Sequence, residues 1–468
     1  MTGSVLGVEP GEFRRELARA AEWVADYLDA VPTRPVTRSR PPHQREWLVA
    51  SPLRDEGQAW TDLLGFVDRE VAPYPCGNGH PAFFGWINSP PAPAAVVAEL
   101  LAVALNPSNG MGEHALMDIE RGVVSALAEL AGLPSGTGGV LTSGGSTANL
   151  LCLATARTWF LRGHTGADFD RAHSTLVCYQ AGDTHMSIAR AARTIGLGGH
   201  RIRSVPMTAD WRMDPDALRR AIAADRAGGL RPFCVVSTAG STATGAVDPI
   251  ADISGICREQ GLWHHVDGAF GGLGAAHPDL AEHYAGIDLV DSLTVDPHKT
   301  LNVPIGCGAA LVTHPERLRD AFDHDASYLT RESAWPWLSD YTLELTRPAG
   351  RALTTWAVLH QLGRTGVTAL IDGYLNLTRQ LRRQITDHPD LQLVAGGPWP
   401  VTCFTHRTTD SVSLARRIQD AGRAYLGTVE IGGRTTLRAS ICNHLTTEED
   451  LHTLLDEIHT HAKHLADR

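Results

Sequence analysis

From about residue 80 to 320 the chain alternates short β-rich runs with helical stretches, and this alternation constrains the fold more than any other feature. The runs are "GGVLTS", "TLVCYQ", "FCVVST", "LWHHVD", "LVDSLTV" and "CGAALVT". Parallel neighbours need a long crossover, and a helix between two strands supplies it. The expectation is an α/β domain with a mostly parallel sheet flanked by helices. After about 350 the pattern changes. The helical stretch "GRALTTWAVLHQLGRTGVTALIDGYLNLTRQLRRQI" leads into three strand-like runs, "LQLVAGG", "VTCFTH" and "TTLRASIC", and then a closing helix. That tail reads as a small α+β domain. Ahead of the alternation, residues 10–30 have helical spacing, with Phe13, Leu17, Ala20, Val24 and Leu28 along one face. A proline- and arginine-rich connector over 31–44 cannot be helix throughout. An amphipathic helix on such an arm needs a surface to pack on, often another subunit. The expected division is therefore an N-terminal helical arm and dimerisation segment (1–80), a large α/β domain (81–350) and a small C-terminal domain (351–468).

Charge and cysteine usage remove whole classes of function. Net charge is −11 and the pI is near 6.0, so no basic surface invites nucleic acid or an anionic membrane. The first residues lack a basic segment followed by an apolar one, and no apolar stretch reaches the ~20 residues that cross a bilayer. A cytoplasmic location is the expectation. Eight cysteines are scattered with no CxxC pair, which reads as reduced thiols and not as a disulfide framework or zinc site. The 22 histidines show no HExxH or HxxxH spacing, so no metal is expected.

Chemistry concentrates where the strands end. In "GVLTSGGSTANLLCLATAR" (139–157) a strand passes through Gly145 and Ser146 into a helix. Glycines let a ligand approach the backbone, and the helix start offers free N–H groups to an anion. An ordinary Gly-rich turn would read the same, and neither a Walker A lysine nor GxGxxG spacing is present. "LWHHVDGAF" (262–270) ends on Asp267, where open α/β sheets bind ligands. A carboxylate there needs a cation or donors, or it caps the next turn. "QAGDTHMSIARAARTIG" puts His185 at a strand–helix junction, as a structural residue or a switch. "FCVVSTAGSTATGAVDPI" ends in a hydroxyl cluster with Thr242 available as a donor. Last comes "DPHKTLN" (296–302), a lysine between two apolar runs. Lysine is seldom buried without a partner, and the proline bars a continuous central strand.

Singly, each of these also reads as structure; their order carries the meaning. An anion cradle, a histidine, a hydroxyl cluster, an aspartate and a lysine are the equipment for pyridoxal 5′-phosphate. The cofactor needs a cradle for its phosphate, a lysine for its aldehyde and a carboxylate to keep its ring nitrogen protonated. The lysine must be neutral to attack a carbonyl, which favours a partly dry strand end over a wet turn.

The sequence resembles the group II pyridoxal-phosphate decarboxylases, the family of aromatic amino acid, histidine, glutamate and diaminobutyrate decarboxylases. The resemblance runs from about residue 10 to 460 and rests on "HPAFFGW" (80–86), "GGVLTSGGSTANL", "DTHMSIARAA", "HVDGAFGG" and above all "DPHKTLNVP". It implies a fold-type I, aspartate aminotransferase-like architecture and a homodimer. It also implies conversion of an L-amino acid to its amine and carbon dioxide through an external aldimine and a quinonoid. A decarboxylation coupled to oxidative deamination, or another fold-type I lyase or aminotransferase reaction, is the alternative. On matching positions Lys299 would carry the cofactor, Asp267 would face the pyridine nitrogen with Ala269 behind the ring, and His185 would stack over it. Gly145, Ser146 and Asp296 fall among the phosphate ligands, and His298 precedes the lysine in its motif. Thr242 and Ser292 fall at positions of polar support. Trp86 and Ser89 fall on the substrate loop, where Phe83, Phe84 and Trp86 favour an apolar or aromatic side chain. The family's proton-donating tyrosine is expected within 323–345, as Tyr341 or else Tyr328.

Departures from the pattern mark where the expectation is weakest. Asp296 stands where asparagine is usual, and an ionised carboxylate cannot donate to a phosphate. Met186 replaces a small hydroxyl residue, Thr300 a frequent tryptophan, and "LTRPAGRALTTW" (345–356) a more arginine-rich segment. A desulfurase would want a cysteine beyond the lysine, and 323–345 has none. A cofactor-free binding protein would have no physical need for Lys299, Asp267 and His185 together.

Overall fold

The structure is a computed structural model that describes residues 7–50, 55–56, 59–77, 79–110, 112–323 and 336–466. Its core is a seven-stranded sheet of β1 (Gly138–Thr142), β2 (Leu176–Ala181), β3 (Ile202–Val205), β4 (Arg231–Thr238), β5 (Trp263–Gly268), β6 (Ser292–Val295) and β7 (Gly308–Val312). The order is β1-β7-β6-β5-β4-β2-β3. Strands β3, β2, β4, β5 and β6 run parallel, while β7 is antiparallel to both β6 and β1. Strands covered on both faces read as continuous apolar runs, not as alternation, and β5 and β7 are buried at every residue.

The two faces of the sheet bury different side chains of the same strands. Leu176 and Cys178 of β2 pack with Phe233 and Trp263 against Leu151, Leu153 and Ile188 of the helices Gly145–Leu161 and Met186–Thr194. Val177 and Tyr179, one residue out of step, pack instead with Val235 against Leu218, Ile253 and Cys257. The period of two is the pleat made visible. These helices are the crossovers that the alternating sequence implies, and they deliver strands β1, β2, β4, β5 and β6 with neighbouring ends.

A second, antiparallel sheet has the order β10-β11-β9-β8, built from β8 (Leu391–Ala395), β9 (Val401–His406), β10 (Gly427–Ile431) and β11 (Arg434–Ser440). The helix Gly350–Asp387 is interrupted at Gly363, whose φ of 58° suits glycine, and packs on the helices Pro93–Leu105 and Ala115–Leu130. The chain forms two compact units, one of residues 86–407 and 429–444, the other of 1–85, 408–428 and 445–468. The first unit holds the seven-stranded sheet. In the second, the helix Pro10–Ala30 buries no residue, and Phe13 is half exposed. No helix among the described residues is long and apolar enough to cross a membrane.

Buried titratable groups on the central strands make stability depend on pH. His264, bonded to Ser237 at 2.7 Å and Ser254 at 2.8 Å, is pushed by burial to a pKa of about 3, and its neighbour His265 to about 4. Below pH ~6.5 the unfolded chain binds protons that these folded histidines refuse, so stability present above that pH is lost as the pH falls. Asp248 accepts from the N–H groups of Met213 and Thr238, and burial pushes it up to about 7. It acts in the opposite sense: its contribution is fullest below pH ~4 and is lost as the pH rises through the folded value. Two histidines outweigh one aspartate, so the melting temperature should fall between about pH 6.5 and 4.5, and more steeply in Asp248→Asn. Equal slopes in parent and variant would refute the role given to Asp248.

Candidate active site

Five strand ends converge on one cavity of about 280 Å³. Strand β1 leads through Ser143, Gly144 and Gly145 into the helix Gly145–Leu161, and Ser143, Ser146 and Thr147 line the cavity beside it. Gly144 has φ 141°, which favours glycine. A Cβ on Gly145 would lie 2.8 Å from Asp296 Oδ2, and one on Gly308 only 2.6 Å from Asp296 Oδ1. The backbone approaches this corner so closely that only hydrogen fits. The result is a row of hydroxyls and free helix N–H groups facing empty space, which is an anion cradle.

Opposite stands the aspartate. Asp267 ends β5, is 5% exposed, and accepts from Asn149 Nδ2 at 3.0 Å and from the Ala269 N–H at 3.2 Å. Ala269 and Thr242 line the same space. His185 caps the helix Met186–Thr194, and its Nδ1 lies 2.8 Å from Ser187 Oγ. Burial lowers its pKa, and the pull of Asp267 does not restore it. The imidazole is therefore neutral at pH 7.

Lys299 follows β6 in the short helix Pro297–Thr300 and reaches the cavity between these groups. Its Nζ lies 3.0 Å from Asp296 Oδ2. Burial pushes its pKa down, but the charges of Asp296 and Asp267 outweigh that and leave the ammonium favoured. Three bonds fix the turn that carries it. Ser89 Oγ donates to the His298 carbonyl at 2.8 Å, Thr300 Oγ1 to the Phe270 carbonyl at 2.7 Å, and His298 Nδ1 to the Cys307 carbonyl at 2.5 Å. The lysine of "DPHKTLN" is thus neither a core residue nor a solvated one. It stands on a clamped turn, paired with Asp296.

Residues 42–407 match the profile of the pyridoxal-dependent decarboxylase conserved domain. The chain belongs to this family. As a pyridoxal-dependent decarboxylase it is similar to the aromatic-L-amino-acid decarboxylase of Rattus norvegicus, with 27% identity over 463 residues and 95% of each chain covered. A solved structure of Rhodiola rosea 4-hydroxyphenylacetaldehyde synthase superposes with a TM-score of 0.88 at 26% identity, covering 97% of this chain and 99% of that one. An Oryza sativa TDC solved with PLP and tryptamine shares the fold, with a TM-score of 0.92 at 24% identity and coverage of 99% and 100%. The fold-type I expectation holds, and the enzyme is a pyridoxal-phosphate-dependent amino acid carboxy-lyase.

The residues present fit that cofactor. Phosphate requires donors, and the start of the helix Gly145–Leu161 supplies them with Ser143, Ser146 and Thr147. Asp296 supplies none: one oxygen is held by Lys299 and the other, Oδ1, is buried with no hydrogen-bond partner. Asp267 is free of any lysine or arginine ion pair among the described residues, so its charge is available to a pyridinium. Lys299 is one of only two lysines in the chain, the other being Lys463 on the closing helix. A covalent lysine has only these two candidates, and that narrowing needs no motif at all.

Gly145, Ser146, His185, Thr242, Asp267, Ala269, Asp296, His298 and Lys299 all line the cavity. Five other anticipated site residues do not. Ser292 is wholly buried beneath it, accepting from Trp263 Nε1 at 2.8 Å and bonded to His265 Nδ1 at 2.9 Å. Ser89 braces the lysine turn from behind. Phe83 is buried against Tyr425, ring centroids 4.8 Å apart, and Trp86 is 45% exposed. Tyr341 ends the turn Leu338–Tyr341 and packs on the apolar layer near Leu318, outside its own chain's cavity. Tyr328 lies outside the described residues. Asn149, Ser187 and Thr238 line the cavity unanticipated, because nothing about a mid-helix asparagine or serine announces a site from spacing alone.

Proposed function

We propose that this decarboxylase acts on L-amino acids with an aromatic or large apolar side chain and releases the corresponding amine and carbon dioxide. The observation that carries the reading is the composition of the cavity wall. Phe270 and Ile305 line it, and no arginine and no second lysine does so among the described residues. A substrate with an acidic side chain would find no cation there except Lys299, which the chemistry already uses. The similarity to a rat aromatic-L-amino-acid decarboxylase over 95% of both chains supports the same class.

In this reading Lys299 holds the cofactor, Asp267 keeps its ring nitrogen protonated and His185 lies over its face. Bound pyridoxal phosphate supplies the sink for the electron pair left on the α-carbon when carbon dioxide departs. The residues do the rest. Asp296 Oδ2, at 3.0 Å, holds the Lys299 ammonium in place, and a proton must leave that pair before the amine can act as a nucleophile. Neutral His185 adds no positive charge over the ring to compete with Asp267 for the proton's position. A screen of proteinogenic amino acids for carbon dioxide and amine, with hydrogen peroxide followed in parallel, tests the reading. Phenylalanine, tyrosine or tryptophan should lead by at least about tenfold in kcat/KM, the order expected from burying a large apolar group. A preference for glutamate or aspartate would end it, and stoichiometric peroxide would make the enzyme an aldehyde synthase.

The reading includes a homodimer. The helix Pro93–Leu105 is apolar but for Glu99, yet leaves Val97, Leu100, Leu101, Val103 and Leu105 each at least 50% exposed. Such a face is covered by a second copy in the commonest, isologous assembly. Light scattering should report twice the 50.3 kDa of one chain, and a fully active monomer would refute the assembly.

A further inference from the structure

The cavity that takes a phosphate ester has one lysine in its wall, and that lysine is already paired. Among the described residues no arginine and no second lysine lines it. Lys299 Nζ lies 3.0 Å from Asp296 Oδ2. Arg438 stands behind the wall, where its Nε donates to the Thr242 carbonyl at 2.7 Å, and it does not line the cavity. Asp296, for its part, stands against the cradle. It is 1% exposed and precedes the turn Pro297–Thr300, with its oxygens pressed between glycines. Oδ2 lies 2.8 Å from where a Cβ on Gly145 would stand, and Oδ1 2.6 Å from one on Gly308. Gly145 opens the helix whose first N–H groups form the cradle. Oδ1 is buried with no hydrogen-bond partner, and His298 Nε2, 3.8 Å from Oδ2, is too far for one. A buried carboxylate parted from its cation is costly, so the pair holds together as a unit.

We propose that Asp296 sets how firmly this enzyme holds its cofactor, by binding the cavity's one ammonium and so leaving the phosphate to the neutral donors of the cradle. A paired ammonium presents little net charge to a third group. Freed of its carboxylate, the same ammonium would turn to the phosphate, the stronger kind of contact. Ser143, Ser146, Thr147 and the helix N–H groups are then the whole of the phosphate's hold. The pairing exchanges a tighter grip on phosphate for a lysine fixed at one place. The proposal rests on the reading that phosphate binds at the start of the helix Gly145–Leu161.

The test measures binding to the cofactor-free protein by calorimetry. Its probes are pyridoxine 5′-phosphate, whose alcohol forms no bond to Lys299, and pyridoxine, the same ring without phosphate. The proteins are the parent, Asp296→Ala and the double variant Lys299→Met/Asp296→Ala. Asp296→Ala frees the ammonium and adds no donor of its own. It should bind the phosphate ester at least about tenfold more tightly, the scale of one charge-assisted hydrogen bond, and pyridoxine less than about threefold more tightly. The double variant removes the pair as a unit and should bind the ester within about tenfold of the parent. A smaller gain for the ester in Asp296→Ala overturns the proposal, as does a larger gain for pyridoxine, which would mean a change of the cavity at large. A double variant outside its range in either direction overturns it too, because Lys299 and Asp296 would then not cancel. Should Asp296→Ala not fold, the double variant decides by that same range, since replacing both members of a buried pair is often neutral for stability. If the parent binds the ester no more tightly than pyridoxine, the cradle itself falls and the proposal with it; the other failures leave the cradle standing.

Discussion

Replacing Lys299 with alanine should lower turnover by at least about four decades, the scale on which removal of a covalent nucleophile is felt. Substitution leaves the clamped turn intact, because its bonds run through Ser89, Thr300 and the His298 ring and none uses the lysine side chain. The protein should therefore fold, but with lowered stability, because Asp296 is left buried without its ion-pair partner. Borohydride treatment of the parent should leave a pyridoxyl group on Lys299, found by mass spectrometry. With only Lys463 as a competing side-chain amine, the measurement has two possible answers beyond the N-terminus. An adduct on Lys463 would sink the assignment of the whole cavity.

Replacing Asp267 with alanine should give a loaded but slow enzyme. The cradle of Gly145, Ser146 and Thr147 and the lysine turn are untouched, so cofactor absorbance should remain. In the proposed reading, what is lost is the charge that holds a proton on the ring nitrogen. At ~4 Å and an effective dielectric near 20 that pairing is worth about 4 kcal/mol, which at 1.36 kcal/mol per decade is nearly a thousandfold in kcat. Desolvation makes this an upper figure. A turn-capping aspartate would behave otherwise: the Ala269 N–H and Asn149 would lose an acceptor, stability would fall and kcat would hold. Measuring kcat and melting temperature together separates the two, and an intact kcat with bound cofactor ends the catalytic role.

The fold was legible where burial wrote long apolar runs, and dim where it did not. Strands β4 to β7 stood out because both faces are covered. Strand β3 did not, since its "IRSV" has a single buried residue, Val205, nor did β10, whose "GTVEI" is half solvated. The cavity's charged residues were readable because a carboxylate or lysine at a strand end has no cheap structural excuse. Hydroxyls and amides have many, which is why Asn149 and Thr238 passed unnoticed, while Ser292, expected as polar support, lies beneath the cavity, bonded to Trp263 and His265. The aromatic loop is ambiguous for a related reason: Phe83 is buried against Tyr425, and spacing alone does not tell such packing from the lining of a pocket. Tyr341 was chosen by position in a loop, and loop positions are set by tertiary contacts that sequence spacing does not encode.

The placement of β7 has a consequence for the order of events at the ribosome. The cradle grows from β1 and the lysine turn from β6, but these strands never touch; β7 lies between them and is paired with both. Until residues 308–312 have been made and slotted into that gap, β1 has no strand partner, and only the helix Gly145–Leu161, packed on β5 and β6, joins the cradle to the lysine side. A nascent chain shorter than about 310 residues carries every residue that lines the cavity, yet the strand that leads into the cradle still lacks its partner. The sheet that carries both sides of the cavity is thus completed only by its last strand.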